Sequence, residues 1–193
     1  MERALVIDNS TLIIRRTLAV VLGAILVAAA AQVALPLPGT PVPFTLQPLA
    51  VLLVGGLLGA RFGALSLILY LAMGAAGLPV FTPTVPLVGV ARLFGPTGGY
   101  LLAYPVAAWA TGWLTPGSQP GVNKPWLGRV ALAVLAGLVL IHLGGLAQLA
   151  IITGSIAGAA QLATWPFLLG DLLKIAVLVP VLTQLTPTIR ARL

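Results

Sequence analysis

Beyond residue 8 the chain carries a single carboxylate side chain, Asp171, and it stands three residues before Lys174 inside an apolar run from Trp165 to Pro180. Positions i and i+3 share one face of a helix, so the two charges project into the same space, about 4.5 Å apart along the axis. An ionisable side chain at membrane depth is costly unless it is paired or faces a polar cavity, which makes it the first place to look for function. A carboxylate beside an ammonium suits a small neutral group with N–H donors on one side and a carbonyl on the other, such as a ureido or amide group. The competing reading is a self-neutralising pair that only holds helices together. Apolar residues would do that without the desolvation cost of burying two charges.

The remaining polar candidates lie in or beside loops. Arg92 carries a planar fork that matches a carboxylate, the alternative being a solvated loop side chain. Phe44-Thr45-Leu46-Gln47, Phe81 and Gly95-Pro96-Thr97-Gly98-Gly99-Tyr100 supply rings, an amide and a hydroxyl. The glycines permit positive φ and close backbone approach, and the same turn also reads as a simple helix entry. No G-x-x-x-x-G-K-[ST] run cradles phosphates, which excludes ATP hydrolysis by that route. His142 is the only histidine, and Ser155 lies 13 residues further on. On one helix that is about 20 Å of rise, too far for a dyad. A His142–Ser66 pairing across helices has no support in the sequence, and a lone membrane histidine reads as a packing or hydrogen-bonding residue. With one histidine, no cysteine and one membrane-embedded acid, neither a metal site nor a disulfide is expected.

The elements that must position these residues are apolar helices. The 193 residues are 60% hydrophobic and 7% charged, with a mean hydropathy of +1.12, which excludes an ordinary soluble domain and indicates an integral membrane protein. The net charge of +7 is spread singly between apolar spans, so it forms no basic stripe for nucleic acid. Runs broken by Pro, Gly and charge predict six transmembrane helices, at about 12–35, 47–59, 62–78, 98–115, 127–154 and 166–186, in one all-α membrane domain, residues 1–193. Thr17–Leu35 is 19 residues, longer than a signal-peptide core of about 7–15, and is expected to stay as a span. The Pro-rich stretch from Pro79 to Pro96 must leave the lipid or line a protein cavity. Thr115–Pro125 is a polar linker.

The positive-inside rule orients the chain. With both termini cytoplasmic, Arg3, Arg15, Arg16, Arg61, Lys124, Arg129, Arg190 and Arg192 fall inside, eight of the ten cations. The exceptions are Arg92 and Lys174. Asp171 and Lys174 then sit roughly 7 and 12 Å below Pro166, in the outer half of the membrane. Small residues mark close helix approach at Ala24 and Ala28, at Gly55, Gly59 and Gly63, and at Gly154 and Gly158. Internal packing explains each of these; docking onto another membrane subunit is the alternative, best suited to Ala24 and Ala28.

In order along the chain, Val42-Pro43-Phe44-Thr45-Leu46-Gln47, Gly77-Leu78-Pro79-Val80-Phe81, Gly95-Pro96-Thr97-Gly98-Gly99-Tyr100 and Gly170-Asp171-Leu172-Leu173-Lys174 resemble the BioY family, the biotin-binding S components of energy-coupling factor (ECF) transporters. The resemblance covers about residues 12–186. It implies a six-helix S-component fold in the cytoplasmic (inner) membrane and uptake of biotin from outside. It also implies partnership with a transmembrane T component and two ABC-type ATPases, with no cofactor and no enzymatic activity. By the same resemblance, Asp171 and Lys174 hold the polar head of biotin, and Ala24 and Ala28 form the docking motif. Arg92, Tyr100 and Gln47 serve the tail or close a lid, with Phe44, Phe81, Gly98 and Gly99 in the site walls. Residues 82–88 offer no asparagine to read the ureido group, so a third head-group ligand stays unassigned. Asp171→Asn is expected to weaken binding more than Arg92→Ala. Two alternatives remain: an S component for another small vitamin, and an intramembrane enzyme using His142.

Overall fold

A computed structural model describes residues 9–117 and 124–193, with Lys124 and Pro125 described by their backbone alone. Arg3, the side chain of Lys124 and residues 118–123 of the polar linker lie outside the described residues. Seven α-helices run in the order α1 (Asn9–Gln32), α2 (Gln47–Ala75), α3 (Ala91–Phe94), α4 (Gly98–Leu114), α5 (Lys124–Thr153), α6 (Ile156–Ala163) and α7 (Leu168–Arg190). A 3-10 turn, Trp165–Phe167, leads into α7, and two short strands, β1 (Ala34–Leu35) and β2 (Phe44–Thr45), pair antiparallel between α1 and α2. Among the described residues, four helical stretches are long and apolar enough to cross a membrane: Asn9–Gln32, Gln47–Ala75, Trp126–Thr153 and Ile156–Arg190.

The expected spans 47–59 and 62–78 appear as one assigned helix, α2, broken at Gly59. Gly59 has φ 83 and ψ 172, a backbone region that essentially only glycine tolerates. The break folds the second arm back along the first: a Cβ at Gly63 would lie 2.8 Å from the Cα of Gly55. A side chain at Gly63 would push the arms apart, and one at Gly55 would collide with the Ala108 backbone of α4. Gln47 Nε2 ties them at the far end by donating to Tyr70 Oη at 2.7 Å.

Arg190 closes the opposite end of the bundle. Its guanidinium donates to Gly56 O at 2.6 Å, Gly112 O at 3.0 Å and Thr115 O at 2.8 Å. It thereby satisfies carbonyls that the last turns of α4 and of the first α2 arm leave open. Nearby, Arg16 Nε donates to Leu193 O at 2.7 Å and its guanidinium lies 5.6 Å from the centre of the Phe62 ring.

Two expectations change. Gly154 and Gly158 do not bring helices together: Gly154, at φ 68, ends α5, and the Gly158 N–H donates to the Ser155 hydroxyl that caps α6. The α6 helix itself was expected as connecting chain. Ala24 is fully buried and Ala28 half-buried against the bundle, because α1 closes on α2 where Gly23 meets Ser66 and Val54. Ala24 therefore packs inside the molecule, while half-buried Ala28 stays at the edge of the face on which α1 turns Ile14, Leu18, Leu22 and Ile25 outward.

Candidate functional site

Asp171 and Lys174 lie on one face of α7, both buried, with Lys174 Nζ donating to Asp171 Oδ1 at 2.7 Å. The second oxygen is also taken: His142 Nε2, from α5, meets Asp171 Oδ2 at 2.5 Å. Lys174 Nζ stands 4.8 Å from the centre of the Phe44 ring, a cation–π contact. Phe44 is stacked on Phe167 with centroids 6.3 Å apart. The β1–β2 pairing, with Leu35 opposite Phe44 and Ala34 opposite Thr45, fixes that ring at the entry to α2.

Asp171, Lys174, His142 and Phe167 face a cavity that Gln47, Arg92, Tyr100 and Tyr104 also line, together with Thr45, Thr82 and Thr97. Its volume is about 50 Å³ measured at water centres, room for a few water molecules. Tyr100 Oη donates to Ala163 O at 2.6 Å, so α6 holds the ring in place. Thr40 Oγ1 donates to Leu162 O at 2.7 Å, tying the loop between the strands to the same helix.

Arg92 is 1% exposed and not a solvated loop residue. Its Nη2 donates to Thr82 O at 2.8 Å, and its Nη1 donates to Val85 O at 2.5 Å and Leu87 O at 3.3 Å. The guanidinium is therefore the internal scaffold of the Pro-rich loop, whose irregular backbone has no ladder to satisfy its carbonyls. The Nε of Arg92 is buried with no partner among the described residues. The exposed-contact reason for ranking Asp171→Asn above Arg92→Ala does not survive, since both side chains are buried.

Phe44, Phe81, Gly98 and Gly99 lie outside the cavity lining, Phe44 acting on it through Lys174 and Phe167. Phe81 packs edge-on to Tyr70 with centroids 5.5 Å apart. Gly98 and Gly99 leave room for the Leu93 carbonyl and the Gly144 carbonyl, where α4 meets α3 and α5. Sequence reasoning missed His142 as a partner of Asp171, and Thr82 and Tyr104 as lining residues. The His142–Ser66 pairing does not form: the Ser66 hydroxyl donates to Phe62 O in its own helix at 2.9 Å. Among the described residues no group of three His, Cys, Asp or Glu side chains gathers as a metal site.

The sequence profile of the BioY family matches residues 3–191. The chain belongs to the BioY family. Similar relatives include a probable biotin transporter BioY from Pyrococcus horikoshii, 37% identical over 148 residues, 75% of this chain and 81% of the relative. The biotin transporter BioY of Thermotoga maritima is 35% identical over 141 residues, covering 73% and 79% of the two chains. In architecture the chain matches a crystal structure of the S-component for biotin from an ECF-type ABC transporter, with a TM-score of 0.79 at 24% identity, over 93% of this chain and 94% of that one. The BioY chain thus shares the S-component fold, and the cluster around Asp171 is its most charged interior.

Proposed function

We propose that this chain binds biotin outside the cell and carries it inward as the S component of an ECF transporter in the cytoplasmic membrane. The observation that carries the reading is the buried Asp171–Lys174 pair on the wall of an interior cavity in a BioY-family chain. The ureido ring of biotin offers two N–H donors and one carbonyl. Asp171 accepts from an N–H, and Lys174 donates to the carbonyl oxygen; a carboxylate oxygen accepts more than one bond, so Asp171 serves protein and ligand together. Phe44 and Tyr100 flank the head group. Phe81, Gly98 and Gly99 act from behind, through packing.

A two-ring ligand with a carboxylate tail exceeds a cavity of about 50 Å³ measured at water centres, so its cover opens on entry. In this reading the cover is the loop pinned by Arg92, and the tail carboxylate takes the guanidinium over from the carbonyls of Thr82, Val85 and Leu87. The six spans are α1, the two arms of α2, α4, α5 and α7, in one membrane domain with both termini cytoplasmic. Arg16, bonded to Leu193 O, and Arg190, bonded to Gly56 O, lie at one end and the site lies at the other, in keeping with the positive-inside rule.

The chain carries no phosphate loop, so two ABC-type ATPases and a T component supply the energy in this reading. The T component docks on α1, at Ala28 and the apolar residues beside it. The apolar core of α1 is 17% buried, against 39–44% for the other three membrane-crossing stretches. Titration calorimetry of the purified protein with biotin, desthiobiotin and thiamine tests the reading. Biotin is expected to bind at or below micromolar concentration and thiamine not at all. Absence of biotin binding at micromolar concentration refutes it.

A further inference from the structure

Asp171 has two carboxylate oxygens, and the two donors on them differ in kind. Lys174 is one turn along the same helix and moves with Asp171 wherever α7 goes. His142 comes from α5, 29 residues earlier, and fixes the carboxylate relative to the rest of the bundle. The terminal torsion of an Asp side chain is broad and two-fold, so one donor from its own helix leaves the carboxylate free to swing.

The His142–Asp171 contact is also a partition. Leu138, His142 and Asp171 line the central cavity on one side and, on the other, an outward-facing apolar groove between α5 and α7 walled by Leu135, Val139, Leu143 and Leu172. The imidazole is held by its surroundings: its centroid is 6.4 Å from that of Tyr100, nearly perpendicular, and 6.5 Å from that of Phe167. Its Nδ1 is buried and has no hydrogen-bond partner among the described residues.

We infer that His142 is a positioning residue for ligand binding: it clamps the Asp171 carboxylate into the cavity and seals the site from the apolar groove. This rests on the biotin reading above. With His142 Nε2 on one carboxylate oxygen and Lys174 Nζ on the other, Asp171 is held from two helices. Without the α5 contact the carboxylate is left with a donor from its own helix alone and is free to turn.

The test is biotin titration calorimetry on full-length wild type, His142→Ala and His142→Gln, with thermal unfolding of each ligand-free protein. His142→Ala is expected to lose about tenfold or more in affinity, the loss of a hydrogen bond to a charged group. His142→Gln, which keeps an N–H donor, stays within about threefold of wild type, or about 0.7 kcal/mol. Alanine binding like wild type, or glutamine binding as weakly as alanine, overturns the inference. If wild type binds no biotin, the biotin reading fails. The clamp is then judged on the ligand-free melting curves: it stands if His142→Ala lowers Tm and His142→Gln restores most of the loss, and falls if the two variants melt alike.

Discussion

The Asp171–Lys174 pair makes separate demands on stability and on binding, and a double-mutant cycle with Asp171→Leu and Lys174→Met separates them. Both side chains are buried, at 7% and 4% exposure, so neither charge is rescued by solvent when its partner goes. Removing one member of a buried pair costs about 3–5 kcal/mol, whereas replacing both by apolar residues of similar volume is about neutral, or stabilising by 1–4 kcal/mol. Asp171→Leu alone leaves the Lys174 ammonium with only the Phe44 ring beside it. At about 2–4 °C of Tm per kcal/mol for a chain of this size, that single change is expected to lower Tm by about 6–20 °C. Adding Lys174→Met removes the stranded charge. His142 has lost its partner in both proteins, so its contribution cancels in the comparison, and the double variant should recover most of the lost Tm. Binding behaves in the opposite way. Each single change removes one charged hydrogen bond to the ureido group, about 1.5–3 kcal/mol, or about 10–150-fold in Kd, and the double variant loses both. Thermal unfolding in detergent and biotin calorimetry on the same four preparations read the two effects. A double variant no more stable than Asp171→Leu refutes the burial argument. A double variant that binds biotin within about threefold of wild type, or about 0.7 kcal/mol, refutes the ligand assignment.

Two further outcomes follow from the ends of the bundle. Arg92→Lys keeps the charge, but one ammonium cannot replace a fork that reaches three carbonyls. Amide hydrogen exchange across residues 82–88 is expected to quicken by about tenfold or more, the equivalent of losing about 1.4 kcal/mol of local stability; unchanged exchange would contradict the scaffold role. Gly59→Ala meets no side chain closer than 3.7 Å, so its cost is the backbone's own, about 1–3 kcal/mol for a residue forced into that region. A lowered Tm with biotin affinity unchanged is the expected result, and an unchanged Tm would show that the break does not depend on glycine.

The parts of this site that were legible in the sequence are those whose geometry is local. Asp171 and Lys174 are three residues apart on one helix, and helical periodicity alone brings them together. The break in α2 was legible as a gap between two apolar runs because Gly55, Gly59 and Gly63 mark the place where two arms touch. Helix α6 was hidden because residues 156–163 continue an apolar stretch, and only Gly154 and the Ser155 cap separate it from α5.

The burial of Arg92 and the role of His142 depend on partners that periodicity cannot reach, yet hydrogen-bond accounting points to both. Residues 79–96 carry four prolines, so the stretch cannot be regular helix, and its carbonyls require donors. Arg92 is the one cation within it, and a loop folded over a cavity draws that fork inward. The same accounting applies to Asp171. A carboxylate at membrane depth has two oxygens to satisfy, and Lys174 on the neighbouring turn reaches one. The second is met from another helix, by His142 of α5, a partner that only the folded bundle brings within reach.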